Sequence, residues 1–276
     1  PRLLGAFGRD LLIVDNKNVV WRWRPSDTTG KGVMKTVRVA GAAGWGDDVL
    51  AIGTFVKLAS EGLYSLYVVD PSEENILAYS PASDGSGFPS SPQKRLAVAR
   101  DMSKVSDLMI DGDIFVVDAG KVVRFVGGKS EGWTVAPAGA TTFSPDGDTL
   151  LRPAPSYERI ATGTEKRVGL LYAWDRASGR VVGIDKAKGT FVEQYRLAGG
   201  NPAWNDIRGM YVVPGADAGA PATLVWATKD VVLSAVLEAA PDGTTGPAPS
   251  GSAGASPPAG SPGASSAASA KPSAAP

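Results

Sequence analysis

Short apolar segments alternate with aspartate-led turns five times along the first 240 residues. Each copy runs from an apolar strand through the turn into an aromatic or branched strand, and the copies cover residues 11 to 23, 66 to 79, 114 to 125, 181 to 195 and 224 to 237. The turn positions are spaced 55, 48, 67 and 43 residues apart and are occupied by Asp15, Asp70, Asp118, Asp185 and Thr228. This period is typical of four-stranded propeller blades. The pattern predicts an all-β β-propeller with five visible blades, and leaves a sixth open for a longer protein.

The composition changes abruptly near residue 240. From residue 241 to residue 276, 32 of 36 residues are Pro, Ala, Gly or Ser, with no apolar periodicity. A segment of this composition cannot bury a core, so it is expected to be a disordered tail. The predicted domains are therefore a propeller over 1 to 240 and a tail over 241 to 276. The first repeat begins part-way through a blade, and we expect that blade to lack its earlier strands and the chain to belong to a longer polypeptide.

Charge and residue types exclude several functions. Lys+Arg and Asp+Glu are balanced at 28 each, so no long-range field favours a nucleic-acid partner. No apolar run reaches the roughly 18 to 20 residues that span a bilayer. The chain has no His and no Cys, which removes the usual zinc sites and the Ser-His-Asp and Cys-His nucleophiles. Carboxylates, Lys, Tyr and backbone carbonyls remain, and they can build a site for a hard cation such as Ca²⁺.

One strand alternates aromatic and basic residues. In residues 19 to 25, Trp21 and Trp23 share one face and Arg22 and Arg24 the other, because side chains alternate along a strand. One interpretation is an aromatic and cationic binding surface. The favoured interpretation is a strand with tryptophans packed between blades and arginines facing solvent.

A second set of acidic residues also follows the repeat. These residues precede apolar stretches at intervals of 59, 51 and 48, and they are Asp48, Asp107, Glu158 and Asp206. Because the first strand of each propeller blade lines the central channel, they are expected to meet at one mouth of it. Converging carboxylates repel unless a cation, a basic ligand or protonation relieves them, so they are a candidate calcium site. The alternative is that each aspartate bonds its own turn. Four nearby residues are expected to complete a ligand-binding mouth: Trp45, Lys104, Trp204 and Arg208.

Three segments resemble known propeller families. VVGIDKAKGTFVEQYRL (181 to 197) resembles the closing strands of NHL-type blades, and FSPDGDTL is similar to the hairpin of TolB-like propellers. SDLMIDGDIFVVD (106 to 118) is similar to the inner strand of the gluconolactonase and regucalcin family, and this resemblance implies that Asp107 ligates a divalent metal. The Glu-Gly-Pro and Asn-Asp-Gly segments of that family are not found in this sequence.

The stretch from DNKNVVWRWRP to TLVWATKD also resembles propeller regions that follow PPM-type protein phosphatase-like domains in Chloroflexota-like bacteria. This resemblance implies a sensor or scaffold module of a bacterial protein. The leading functional hypothesis is a monomeric, non-catalytic propeller that presents its channel mouth or rim loops to a protein partner or small ligand. The alternative is a calcium-dependent lactonase-like hydrolase, in which the ion polarises a carbonyl and a carboxylate acts as base.

Overall fold

Five antiparallel sheets follow one another as propeller blades around a central channel. The computed structural model describes residues 3–26, 31–45, 49–131, 155–163, 168–195, 202–216 and 220–237. Blade 1 contains β1 (Leu3–Phe7), β2 (Asp10–Val14), β3 (Val20–Pro25) and β4 (Gly32–Val39). Blade 2 contains β5 (Ala51–Leu58), β6 (Leu63–Asp70) and β7 (Asn75–Tyr79), after which β8 (Gly87–Phe88) pairs in parallel with β4 and β9 (Gln93–Lys94) completes the blade.

The remaining three blades repeat this order. Blade 3 contains β10 (Val105–Asp111), β11 (Asp113–Asp118), β12 (Lys121–Val126) and β13 (Lys129–Ser130). Blade 4 contains β14 (Tyr157–Ala161), β15 (Leu170–Asp175), β16 (Arg180–Asp185) and β17 (Phe191–Tyr195). Blade 5 contains β18 (Gly209–Val213), β19 (Thr223–Ala227) and β20 (Val232–Val236). The helical elements of the described residues are single 3₁₀ turns at Ala42–Gly44, Ala59–Glu61, Pro71–Glu73 and Pro202–Asn205. The predicted all-β propeller is confirmed.

Blade 1 has an inner strand that the sequence pattern did not reveal. β1 pairs along its whole length with β2, from Leu3 opposite Val14 to Phe7 opposite Asp10, so the blade has all four of its own strands. A Cβ on Gly5 would lie 3.3 Å from the Ile52 side chain of blade 2, and the glycine therefore permits close packing of the two inner strands. A five-residue strand with a central glycine shows little alternation, which explains why it was not predicted. Searching the described residues for a helix able to cross a membrane gives no candidate.

The repeated turn residues hold their own turns. The Asp185 carboxylate accepts hydrogen bonds from the backbone N–H groups of Ala187 and Lys188, at 2.9 and 2.8 Å. Equivalent local bonds form at Asp15, Asp70 and Thr228. Side chains that satisfy backbone donors two or three residues ahead stabilise tight turns. The sequence predicts that the carboxylates of Asp70, Asp118 and Asp185 accept backbone N–H bonds in their turns, and at Asp70 and Asp185 this prediction is confirmed.

Asp118 uses a different contact. Its carboxylate pairs with Arg100 at 2.5 Å, and the turn that follows is made by Ala119 and Gly120, which have φ values of 49° and 77°. The prediction of backbone N–H bonds, made for Asp118 as for Asp70 and Asp185, is therefore wrong at this position. Since glycine adopts a positive φ without steric cost, the turn does not require a carboxylate cap.

We expect Asp185→Ala to lower the free energy of unfolding by about 0.5 to 2 kcal/mol, because two backbone donors lose their acceptor. Urea denaturation monitored by circular dichroism measures this change. Asp230→Ala, in the corresponding turn of blade 5, is the matched control, because the Asp230 side chain is exposed. Equal losses in the two variants would show that the carboxylate does not stabilise the turn.

Four clusters of buried apolar side chains fill the interfaces between successive blades. Leu12 and Leu66 lie in the cluster between blades 1 and 2, and Val69 and Ile110 in that between blades 2 and 3. Corresponding clusters join blades 3 and 4 and blades 4 and 5. Within the part of the chain that the structure describes, no similar cluster joins blade 5 to blade 1. The hydrophobic core of this propeller is thus divided among its blade interfaces.

The arginines of β3 face blade 2, and the tryptophans face the other way. Arg22 donates a hydrogen bond to the carbonyl of Gly85 at 2.7 Å, and Arg24 donates to the buried carboxylate of Asp10 at 2.7 Å. By alternation, Trp21 and Trp23 lie on the opposite face, where both are half-buried. For Arg22 the favoured interpretation is therefore wrong, because the buried carboxylate of Asp10 draws this cation away from solvent. Arg24 also pairs with Asp10, but its side chain is 57% exposed.

Candidate functional site at the channel mouth

The inner strands of all five blades line a cavity of about 1030 Å³. Its middle section is largely apolar, with walls that include Ile52, Leu108, Ile110, Ile160 and Met210. These residues come from β5, β10, β14 and β18. A cavity of this size exceeds what one small metabolite fills, and its walls favour apolar groups.

Charged side chains gather at the mouth where the inner strands begin. The lining residues there include Asp107, Glu158 and Asp206, so three of the four predicted carboxylates reach the same mouth. The same lining contains four cations: Arg159, Arg176, Arg208 and Lys229. Residues that line the other end, such as Thr54, Thr162 and Pro214, are uncharged. Among the described residues, the charged side chains of the lining are therefore gathered at one mouth.

Asp107 is built into the wall between blades 3 and 4. A β-bulge between Val105 and Asp107 shifts the pairing of β10 with β11 at this point. One carboxylate oxygen accepts the N–H of Leu108 at 2.9 Å, and the other accepts the N–H of Ile160, in the next blade, at 2.8 Å. Burial raises the pKa of Asp107 to about 6, although the positive charge of Arg159 and the two N–H bonds oppose this rise. Asp107 therefore joins two blades with a carboxyl group that is costly to ionise.

The raised pKa of Asp107 predicts a pH-dependent stability. The folded protein keeps this proton between the ordinary pKa of 3.8 and about 6, where the unfolded chain has lost it. The stabilising contribution is therefore complete below pH 3.8 and is lost as the pH rises through about 6. Asp107→Asn is neutral throughout, so its free energy of unfolding should rise relative to wild type between about pH 4 and about pH 7.

Urea denaturation at several pH values tests this expectation. Asp206→Asn is the control, because it removes an exposed carboxylate from the same mouth. Parallel pH profiles for wild type and Asp107→Asn would contradict the assignment of a costly ionisation to this position.

Glu158 and Asp206 each lie beside an arginine. The closest distance from Glu158 to Arg176 is 3.9 Å, and that from Asp206 to Arg208 is 3.4 Å. All four side chains are exposed, so these pairs contribute little to stability. The two carboxylates offset the positive charges of Arg176 and Arg208 at the mouth.

Arg159 spans the mouth and was missed by sequence reasoning. Its guanidinium donates to the backbone carbonyls of Ser106, Glu158 and Arg208, at 3.2, 2.7 and 3.2 Å. These carbonyls belong to blades 3, 4 and 5. A β-bulge between Tyr157 and Arg159 interrupts the pairing of β14 with β15 and changes the direction of the side chains there. A bulge leaves no periodic signal in the sequence. The only sequence feature that placed Arg159 near the mouth was its position next to Glu158.

Trp174 and Tyr211 add polar groups to the same wall. Trp174 lies opposite Arg159 in the β14–β15 pairing, is 1% exposed, and has an indole N–H without an acceptor among the described residues. Tyr211 is half-buried, and burial together with the charge of Asp107 raises the pKa of its phenol to about 12. The phenol is therefore protonated and can donate. Sequence reasoning identified neither residue, because aromatic residues in propeller strands are usually core.

Three predicted companions lie away from the mouth. Trp45 is buried and donates to the Tyr79 hydroxyl at 2.9 Å, while Trp204 is buried and donates to the Gly179 carbonyl at 2.8 Å. Lys104 is exposed and does not line the channel. The expectation that these residues face the mouth is corrected: the tryptophans pack in blade interfaces because apolar burial there outweighs exposure at a rim. Of the predicted companions, Arg208 lines the channel.

The candidate calcium site is only partly described. Asp48 lies outside the described residues. Within those residues, no three or more His, Cys, Asp or Glu side chains are grouped so that they could hold a metal ion. Asp107, Glu158 and Asp206 reach one mouth but do not form such a group. A calcium site that includes Asp48 stays a prediction.

Comparison with known proteins gives likenesses of structure alone. No protein family matches the sequence, and no curated protein matches it. Among solved structures, Myxococcus xanthus glutaminyl cyclase is 16% identical, with a TM-score of 0.46 over 86% of this chain and 91% of that chain. Streptogramin B lyase is 12% identical, with a TM-score of 0.47 over 85% and 78%. A chain of a nidogen/laminin complex is 12% identical, with a TM-score of 0.47 over 85% and 75%.

Proposed function

We propose that this protein is a non-catalytic binding module that takes a small ligand at the charged mouth of its propeller channel. One observation carries the proposal: polar groups from blades 3, 4 and 5 converge on one mouth of a channel of about 1030 Å³ that is lined by both polar and apolar side chains. Convergent polar groups at the entrance of an apolar cavity are the usual form of a small-molecule site. The rigid blades hold these groups in place before a ligand arrives.

The surroundings of the carboxylates support binding over hydrolysis. Asp107 is fixed in the wall by backbone N–H groups of two blades, and Glu158 and Asp206 each lie beside an arginine. A general base must be positioned to reach the substrate proton. We assign these carboxylates to positioning the wall and balancing charge. The module acts as a sensor or scaffold within a larger bacterial protein, as its resemblance to phosphatase-associated propellers implies.

Occluding the channel tests this proposal. Ser106 is exposed and lines the channel at the charged mouth, where its carbonyl accepts from Arg159, so Ser106→Trp should obstruct this mouth without disturbing the core. Ala59→Trp, at an exposed 3₁₀ turn away from the channel, is the matched control. In a thermal-shift screen of small molecules, ligands of the parent should lose their effect in Ser106→Trp and keep it in Ala59→Trp. Ligands unaffected by Ser106→Trp would contradict a site at this mouth.

A lactonase assay with added Ca²⁺ separates the two functional classes. We expect no turnover above that of buffer. Turnover that Asp107→Asn abolishes would replace the binding-module proposal with the hydrolase alternative.

A further inference from the structure

We infer that the ligand of this mouth is an organic monocarboxylate with an apolar body, whose carboxylate binds beside Arg159 and whose body lies along the channel walls. The inference rests on the proposed function, because it names the ligand class of the same site. It follows from the charges at the mouth, the hydrogen-bond donors there and the accessible apolar side chains of the channel lining.

The charges of the described mouth leave one excess positive charge. Arg176 and Arg208 lie beside Glu158 and Asp206. Arg159 and Lys229 have no carboxylate within 4.0 Å in the described chain, and the nearby carboxyl that faces Arg159 is Asp107. Among the described lining residues, positive charge therefore exceeds negative charge by one. This excess favours an anionic ligand group over a cationic one beside these residues.

The free polar groups of the wall are donors. Arg159 is held by three carbonyls through Nε and Nη1, and the structure assigns no bond to Nη2. The Tyr211 phenol lines the channel and is protonated, since its pKa is raised. Both groups can donate to a ligand, so this wall favours a ligand group with several acceptor lone pairs. A carboxylate has two such oxygens and matches a guanidinium in geometry.

The channel lining also has accessible apolar side chains. Leu4, Leu50 and Met109 line the channel and are exposed or half-buried. A ligand consisting of a charged head alone would leave these side chains in contact with water. An aliphatic or aromatic body removes that apolar surface from water and adds affinity.

Isothermal titration calorimetry with four probes at about neutral pH tests the inference. Octanoate has the head and the body, acetate has only the head, octanamide has the body with a neutral head, and octylamine has the body with a cationic head. We expect octanoate to bind, and each of the other three to bind at least about tenfold more weakly, which corresponds to about 1.4 kcal/mol.

Variants of the mouth locate the carboxylate. Arg159→Gln should weaken octanoate binding by about tenfold or more, since charge-assisted hydrogen bonds are the strong ones. Arg38→Gln, at an exposed position of β4 away from the channel, should bind octanoate as the parent does. Because Arg159 also joins three blades, Tyr211→Phe provides a second test: it removes a hydroxyl donor from the channel lining, keeps the aromatic ring, and should weaken octanoate more than octanamide. Thermal melting of each variant shows whether it is folded.

The outcomes separate the inference from the proposed function. If octanamide binds as tightly as octanoate, and Ser106→Trp abolishes both, the channel is a ligand site but the carboxylate assignment is wrong. If octanoate does not bind, or binds equally well to the parent, Arg159→Gln and Tyr211→Phe, the inference is overturned. If octanoate binding also survives Ser106→Trp, the site of the proposed function at this mouth is contradicted as well.

Discussion

Replacing Arg180 with methionine is expected to lower the free energy of unfolding by about 3 to 5 kcal/mol, because a buried carboxylate loses its counter-charge. The Arg180 and Asp175 side chains are 0% and 1% exposed, at the turn between β15 and β16. Arg180 donates to one Asp175 oxygen through Nε at 3.0 Å and Nη2 at 2.8 Å, and to Gln194 through Nη1 at 3.4 Å. Without the guanidinium, Asp175 must remain charged in an apolar interior or take up a proton, and either change destabilises the folded state.

The arginine that precedes Arg180 in the sequence, Arg176, is the matched control. Arg176 is exposed and lies 3.9 Å from Glu158, so Arg176→Met is expected to change stability by no more than about 1 kcal/mol. A double variant with Asp175→Leu and Arg180→Met should recover part of the loss, since it removes both buried charges. Urea denaturation measures all three. Equal losses for Arg180→Met and Arg176→Met would show that the buried pair does not stabilise blade 4.

The second large effect is expected at Trp226. Trp226→Ala should lower the free energy of unfolding by about 3 to 5 kcal/mol, because it opens a cavity in the interface between blades 4 and 5. This tryptophan is 0% exposed and packs edge-on against Trp204, with 4.9 Å between ring centroids. Since both rings belong to one interface, the loss of one also removes packing from the other.

Trp23→Ala is the control for residue type. Trp23 lies on the face of blade 1 that points away from blade 2 and is half-buried, so its removal should cost less than half as much. Chemical denaturation of the two variants under identical conditions gives the comparison. If the two losses were equal, Trp23 would pack as tightly as an interface tryptophan and our description of that face would be wrong.

The blade repeat and most of its turns could be predicted because their interactions are local. At Asp15, Asp70, Asp185 and Thr228 the side chain bonds backbone donors a few residues ahead, so donor and acceptor are visible in one stretch of sequence. The position of Asp107, Glu158 and Asp206 on one channel mouth could also be predicted. The location of each carboxylate follows from its position in the repeat, because equivalent positions of successive blades converge around the propeller axis.

The sequence by itself therefore determined the all-β propeller and the acidic residues that line its channel. Only the tertiary structure decided how the mouth is completed. A β-bulge changes the direction of Arg159, while Trp174 lies in β15 of blade 4 and Tyr211 in β18 of blade 5. Neither periodicity nor spacing distinguishes these three residues from core residues. The same holds for Arg22, which faces blade 2 because Asp10 is buried there, and for Trp45 and Trp204, which pack in interfaces. Contacts between blades depend on which face of each sheet meets its neighbour, and that is settled by packing across the whole ring.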